Sequence, residues 1–142
     1  MKFNEFEVGD NFLTAPYTVT KEEIIEFAEK YDPQHMHLDE EKAKNGPFGG
    51  LIASGLHSLA GVWSKWVALD VVGEDAIGGA GIERLNWLLP VRPDDQLIGE
   101  FQISQKRKLS DGVRGLIVID AKVHNQNGKE VMEFTLKAII RA

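Results

Sequence analysis

The chain has 142 residues, 43% of them hydrophobic and 27% charged, with 16 basic against 22 acidic side chains and no cysteine. Its length fits one domain that buries roughly two-thirds of its unfolded-chain surface in a single core. A net charge of -6 repels nucleic acid and argues against phosphate-backbone binding as its main task, and the lack of cysteine excludes thiol catalysis, cysteine-ligated metals and disulfides.

The first ten residues alternate charged and apolar groups without the apolar core of a signal peptide, and no apolar run reaches the roughly 20 residues of a membrane span. A cytoplasmic protein with no membrane partner is expected. Residues 11–18 read as a first strand. Thr20 then reads as a helix N-cap, with Glu23 closing a capping box and Val19 against Ile24 as a hydrophobic staple. Ile24, Phe27, Ala28 and Tyr31 mark its apolar face, and Pro33 sets its end at Tyr31 or Asp32. A second short helix begins at Asp39 and stops at Asn45-Gly46-Pro47, which leaves Asp32 and His37 in the link between the two.

Residues 51–69 are apolar on nearly every side, as expected of a helix enclosed by other structure, about 22 Å long for 15 or so helical residues. The glycine-rich residues 73–81 read as a loop. Strand periodicity follows over residues 82–89, 96–106, 113–124 and 130–140; Leu97, Phe101 and Ile103 share one face of the second of these, and Met132, Phe134, Leu136, Ala138 and Ile140 one face of the last. Ser110-Asp111-Gly112 and Asn125-Gln126-Asn127-Gly128 read as hairpin turns. The sum is an α+β domain, a mostly antiparallel sheet curled around one buried helix, without repeats or a second domain.

The chemistry concentrates in Tyr31-Asp32-Pro33-Gln34-His35-Met36-His37-Leu38, where an acid precedes an imidazole by five residues across a bend. Converging Asp and His side chains hold a water and pass its protons in either direction. Asp-Pro after a helix is also ordinary turn chemistry, and His35 and His37 with Asp32 or Asp39 form an alternative metal clamp. His57 reads as a hydrogen-bonded core histidine and His124 as exposed. Residues 73–81 lack the Gly-Lys-Ser/Thr of a phosphate loop, and Trp63 and Trp66 read as core and channel wall.

Three signatures, Asp32 with His37, Pro47-Phe48-Gly49-Gly50-Leu51-Ile52-Ala53-Ser54-Gly55, and Trp87-Leu88-Leu89-Pro90-Val91-Arg92-Pro93-Asp94-Asp95, resemble the MaoC-like acyl dehydratases, relatives of the (R)-specific enoyl-CoA hydratases. The resemblance implies a single hot-dog domain over residues 1–142, a sheet wrapped around a long central helix, paired as a homodimer or higher homo-oligomer with the ligand channel near the interface. The chain departs from the family at Tyr31, Gln34 and His35, and Asp94 stands where glycine is usual.

By this resemblance Asp32 and His37 bind one water, His37 as general base and Asp32 orienting it and handling the proton bound for C2. Gly55, at the predicted start of the buried helix, is the expected oxyanion donor, because helix N-termini present free N–H groups. The implied substrate is an acyl-CoA or acyl-carrier thioester, with no cofactor and no metal. Arg84, Arg92, Lys106, Arg107 and Lys108 are candidates for coenzyme A phosphates or simply solvated rims. The alternatives are a hot-dog thioesterase, disfavoured because no acid lies between Leu51 and Leu69, and a non-enzymatic acyl-binding module.

Overall fold

The computed structural model describes residues 1–142. Short strands β1 (Asn11–Leu13) and β2 (Tyr17–Thr18) open the chain, separated by Thr14-Ala15-Pro16. The single expected strand is thus two pieces, because Pro16 has no N–H to give the ladder. Both pieces pair antiparallel with β4 (Gln96–Lys108).

Thr20 caps α1 (Lys21–Tyr31), its hydroxyl accepting the Glu23 N–H. The reciprocal half of the expected capping box is absent, because the Glu23 carboxylate accepts the Tyr17 hydroxyl at 2.5 Å instead. Asp32 closes α1, its N–H donating to Ala28 O. The link that follows is not extended. His35–Leu38 form one helical turn, α2, so His37 sits on a turn, with the Ile52 N–H bonded to Met36 O beside it. α3 (Glu40–Lys44) then starts one residue later than expected, with Asp39 as its cap.

The long helix α4 spans Gly55–Ala68, and residues 51–54 are irregular. Val62 and Trp66 face the sheet, and Trp66 stacks on Phe101 with centroids 4.6 Å apart. Each such side chain contributes about 1.5–3 kcal/mol through burial. The opposite side of α4 is not enclosed: Leu56, Trp63 and Val67 are exposed, because the sheet of one chain covers one side only.

The sheet is antiparallel throughout, in the order β1-β4-β5-β6-β3, where β3 is Ala76–Trp87, β5 Arg114–His124 and β6 Glu130–Arg141. Inward alternation on β4 buries Leu97, Gly99, Phe101 and Ile103 as its pattern predicts, and β6 buries Met132, Phe134, Leu136 and Ile140. The glycine-rich segment corrects the expected loop. Only Gly73–Asp75 form a turn, a single 3-10 one, while Gly78, Gly79 and Gly81 belong to β3. Their backbone pairs with β6 through register shifts, which needs no side-chain alternation and so left no periodic trace.

Asp94 tests the match between residue and backbone. It holds φ 71°, the left-handed region that glycine enters without a Cβ penalty. Asp94→Gly is therefore expected to raise unfolding stability by about 0.5–1 kcal/mol, after glycine's extra unfolded-state entropy is set against the relieved strain. Urea denaturation reads this directly, and an unchanged or lowered midpoint would show that the aspartate is unstrained there.

Candidate active site

Three elements meet at one end of the molecule: the C-terminus of α1, the turn α2 and the N-terminus of α4. His37 is 6% exposed, and its Nδ1 lies 2.7 Å from Ile52 O. A carbonyl oxygen only accepts, so Nδ1 carries the proton and the neutral ring presents the Nε2 lone pair on its other side. Nε2 is 3.4 Å from Asp32 Oδ2. A lone pair and a carboxylate oxygen cannot bond to each other directly. A water that donates to both would satisfy the pair.

Asp32 is gripped at both oxygens: the Ser54 hydroxyl donates to Oδ2 at 2.7 Å and the Gln34 amide to Oδ1 at 2.6 Å. The Ser54 bond, then the Gln34 bond, hold the carboxyl below the usual carboxylate range, and His37 adds to this. Neither Ser54 nor Gln34 was legible as a site residue. Gln34 stood out only as a departure from the family turn, and Ser54 as one small residue in an apolar run.

Gly55 is the first residue of α4, and its N–H finds no acceptor in the chain. With His37, Ser58, Phe48, Ile52 and Trp87 it lines a cavity of about 280 Å³ whose wall carries no carboxylate, lysine or arginine. Neither Asp32 nor Ser54 lines this cavity; Asp32 is tied to its wall through His37, whose Nε2 is 3.4 Å from Oδ2. A side chain does not fit at position 55, because its Cβ would overlap the Trp87 indole, which packs against this glycine. The Ser58 hydroxyl, one turn further along α4, is buried with no partner in the chain.

The remaining candidates lie elsewhere. His57 is buried, with Nε2 2.8 Å from the Tyr17 hydroxyl and its ring stacked on Phe27; burial pushes its pKa down against the opposing pull of Glu23. His35 is exposed, and no three His, Asp or Glu side chains converge as a metal clamp requires. His124, expected to be exposed, is half-buried at the end of β5. Trp66 is core, whereas Trp63 is exposed on the open side of α4. Lys106 is no solvated rim: its ammonium donates to Phe3 O and Phe6 O and sits 4.7 Å from the centre of the Phe3 ring. Arg92 donates to Phe48 O beside the cavity. Arg84 lies on a separate polar concavity with Asp120, Lys122 and Glu133, and Arg107 and Lys108 at the far end of β4.

A family model for the MaoC-like domain matches residues 4–124. The uncharacterised protein YdeM of Bacillus subtilis is 36% identical over 141 residues, 99% of each chain. Among solved structures, a MaoC-like dehydratase from Rhodospirillum rubrum aligns with TM-score 0.91 at 34% identity, covering 99% of this chain and 97% of that one. The (R)-hydratase PhaJ1 of Pseudomonas aeruginosa, solved unliganded, aligns with TM-score 0.78 at 25% identity over 99% of this chain and 84% of that one.

Proposed function

The chain belongs to the MaoC-like dehydratase family and has its α+β hot-dog fold, and from that premise we propose that it adds water to, or removes it from, the C2–C3 bond of an acyl thioester, as an (R)-3-hydroxyacyl-CoA and enoyl-CoA pair. The observation that carries this reading is the pair of facing acceptors, His37 Nε2 and Asp32 Oδ2, 3.4 Å apart, with the imidazole on the wall of a cavity that also holds a free helix N-terminal N–H. Such a pair is suited to one water.

In the hydration direction the water oxygen forms a bond to C3 while its proton passes to His37 Nε2. The C2–C3 π electrons move toward C2 and the thioester carbonyl, whose growing negative charge the Gly55 N–H meets. A donor of this kind contributes about 10²–10³ in rate. The imidazolium, paired with the Asp32 carboxylate, returns a proton to C2, so one water is added and no net proton is taken up. With its pKa held down, Asp32 serves as the fixed anion and His37 as the proton carrier.

The reading includes a homodimer. β3 is an edge strand paired only to β6 and exposed along almost its whole length, and Ile77 and Ile82 on it lie open like Leu56, Trp63 and Val67 on α4. An apolar edge of this length invites a second copy. No helix of the chain is long and apolar enough to cross a membrane.

Purified protein incubated with trans-2-enoyl-CoA substrates of graded chain length is expected to consume the conjugated enoyl absorbance and yield the (R)-3-hydroxy product. No loss with any chain length would overturn the reading. Thiol release at the rate of absorbance loss would replace it with thioester hydrolysis.

A further inference from the structure

We infer that Ser54 is the positioning residue of this site: its hydroxyl, turned away from the helix N-terminus that a serine ordinarily caps, fixes Asp32 beside His37. The inference rests on the hydratase reading and deepens it.

Serine at an N-cap ordinarily turns its oxygen back to accept the N–H of the second or third helical residue. Ser54 occupies that position, with the backbone angles φ -58° and ψ 137°, yet its side chain makes no capping bond. The hydroxyl points across the site and donates to Asp32 Oδ2, 22 residues earlier in the chain. Two consequences follow from one rotamer. The N–H groups of Leu56 and His57, which such a cap would take, stay unpaired, while the Gly55 N–H is free whichever way Ser54 points. The carboxylate oxygen nearest His37 is held in place, because the oxygen that Ser54 binds is the one 3.4 Å from Nε2.

The two clamps on Asp32 are not equal. Gln34 is exposed, so water competes for its bond to Oδ1. Ser54 is 1% exposed, and its bond has no such competitor. A sheltered donor to an ionised acceptor is the stronger kind of hydrogen bond. Ser54 therefore sets the orientation and charge of Asp32, and Gln34 supports it from the solvent side.

The sign of the effect is fixed. Asp32 is most effective ionised, and the Ser54 bond favours the ionised form, so removing the hydroxyl moves Asp32 titration upward. In Ser54→Ala the acid limb of the kcat/KM profile on crotonyl-CoA is expected to shift to higher pH. At neutral pH kcat is expected to fall about 10- to 100-fold through lost alignment, with a smaller change in KM. A separate measurement needs no turnover: the 13C carboxyl resonance of Asp32, followed by pH titration in wild type and Ser54→Ala, should show its midpoint displaced upward in the variant. An acid limb and a carboxyl titration both unmoved by the substitution would overturn the inference. If the wild type turns over no enoyl thioester, the hydratase reading falls, and the carboxyl titration alone decides the link from Ser54 to Asp32.

Discussion

Asp32→Asn is expected to lower kcat on an enoyl-CoA by about 10²–10⁴-fold, the range for a positioned acid–base group, because on the proposed mechanism His37 carries its proton only with the Asp32 anion beside it; KM should change far less, since Asp32 is not on the cavity wall. Asparagine matches aspartate in size and keeps an oxygen for the Ser54 hydroxyl, so the turn retains its shape. What is lost is the anion 3.4 Å from His37 Nε2. Without it an imidazolium formed by proton abstraction has no counterion, and a bridging water loses its second strong acceptor. His37→Ala removes the proton carrier itself and should be at least as damaging. On the proposed mechanism the two side chains serve one water, so their effects are expected to be non-additive: the double variant should be little slower than the worse single one. Initial rates for the three variants give the answer. An Asp32→Asn enzyme within about tenfold of wild type would remove Asp32 from the mechanism, since His37 would then be working without its anion.

Features written in local sequence were the easiest to read. Thr20 announced α1 through its spacing to Glu23, and the alternation of Leu97, Phe101 and Ile103 announced the inner face of β4. Asp32 and His37 were conspicuous because Pro33 forces a bend between them. The misreadings share a cause, a long-range partner that local spacing does not encode. Glu23 leaves the capping box for Tyr17, whose own position depends on β2 pairing with β4. Gly78, Gly79 and Gly81 extend β3 because β6 offers a ladder. The open side of α4 was invisible for a different reason. An all-round apolar helix states that it must be covered, without saying whether its own sheet or a second chain does the covering.

The site divides along the same line. Gly55 was readable as the start of a helix, since a free N–H at that position follows from helix geometry alone. Ser54 was not, because a serine before a helix reads as a cap, and only the fold brings Asp32 within 2.7 Å of it. The unfamiliar Gln34 turns out to hold Oδ1 of the acid it follows. A substitution that looked like a departure in the turn is thus one of its two supports.

Trp66→Ala is expected to have the largest effect on stability, and to do so without touching the chemistry. Trp66 is 2% exposed, stacked on Phe101 at 4.6 Å and edge-on to Phe12 at 5.8 Å, and so it is the main pin between α4 and the sheet. Truncating a buried tryptophan costs about 3–5 kcal/mol, a large part of the 5–15 kcal/mol that holds a typical domain together. Little of that should be recovered by collapse, because Trp66 and its neighbours already border a cavity of about 410 Å³. The active end of α4 lies eleven residues away, about 16 Å along the helix. It has its own anchors in the Ser54 bond to Asp32, the Ala53 N–H on Val91 O and the Ile52 N–H on Met36 O. Urea unfolding should therefore show the full loss, while kcat per folded molecule, measured at low temperature, stays within about threefold of wild type, as expected for distant and independent sites. A stability loss below about 1 kcal/mol would mean that the stack with Phe101 does not hold the helix. A fall in kcat as deep as that of Asp32→Asn would mean that the two ends of α4 move as one body, so that the proposed oxyanion donor depends on packing a full helix length away.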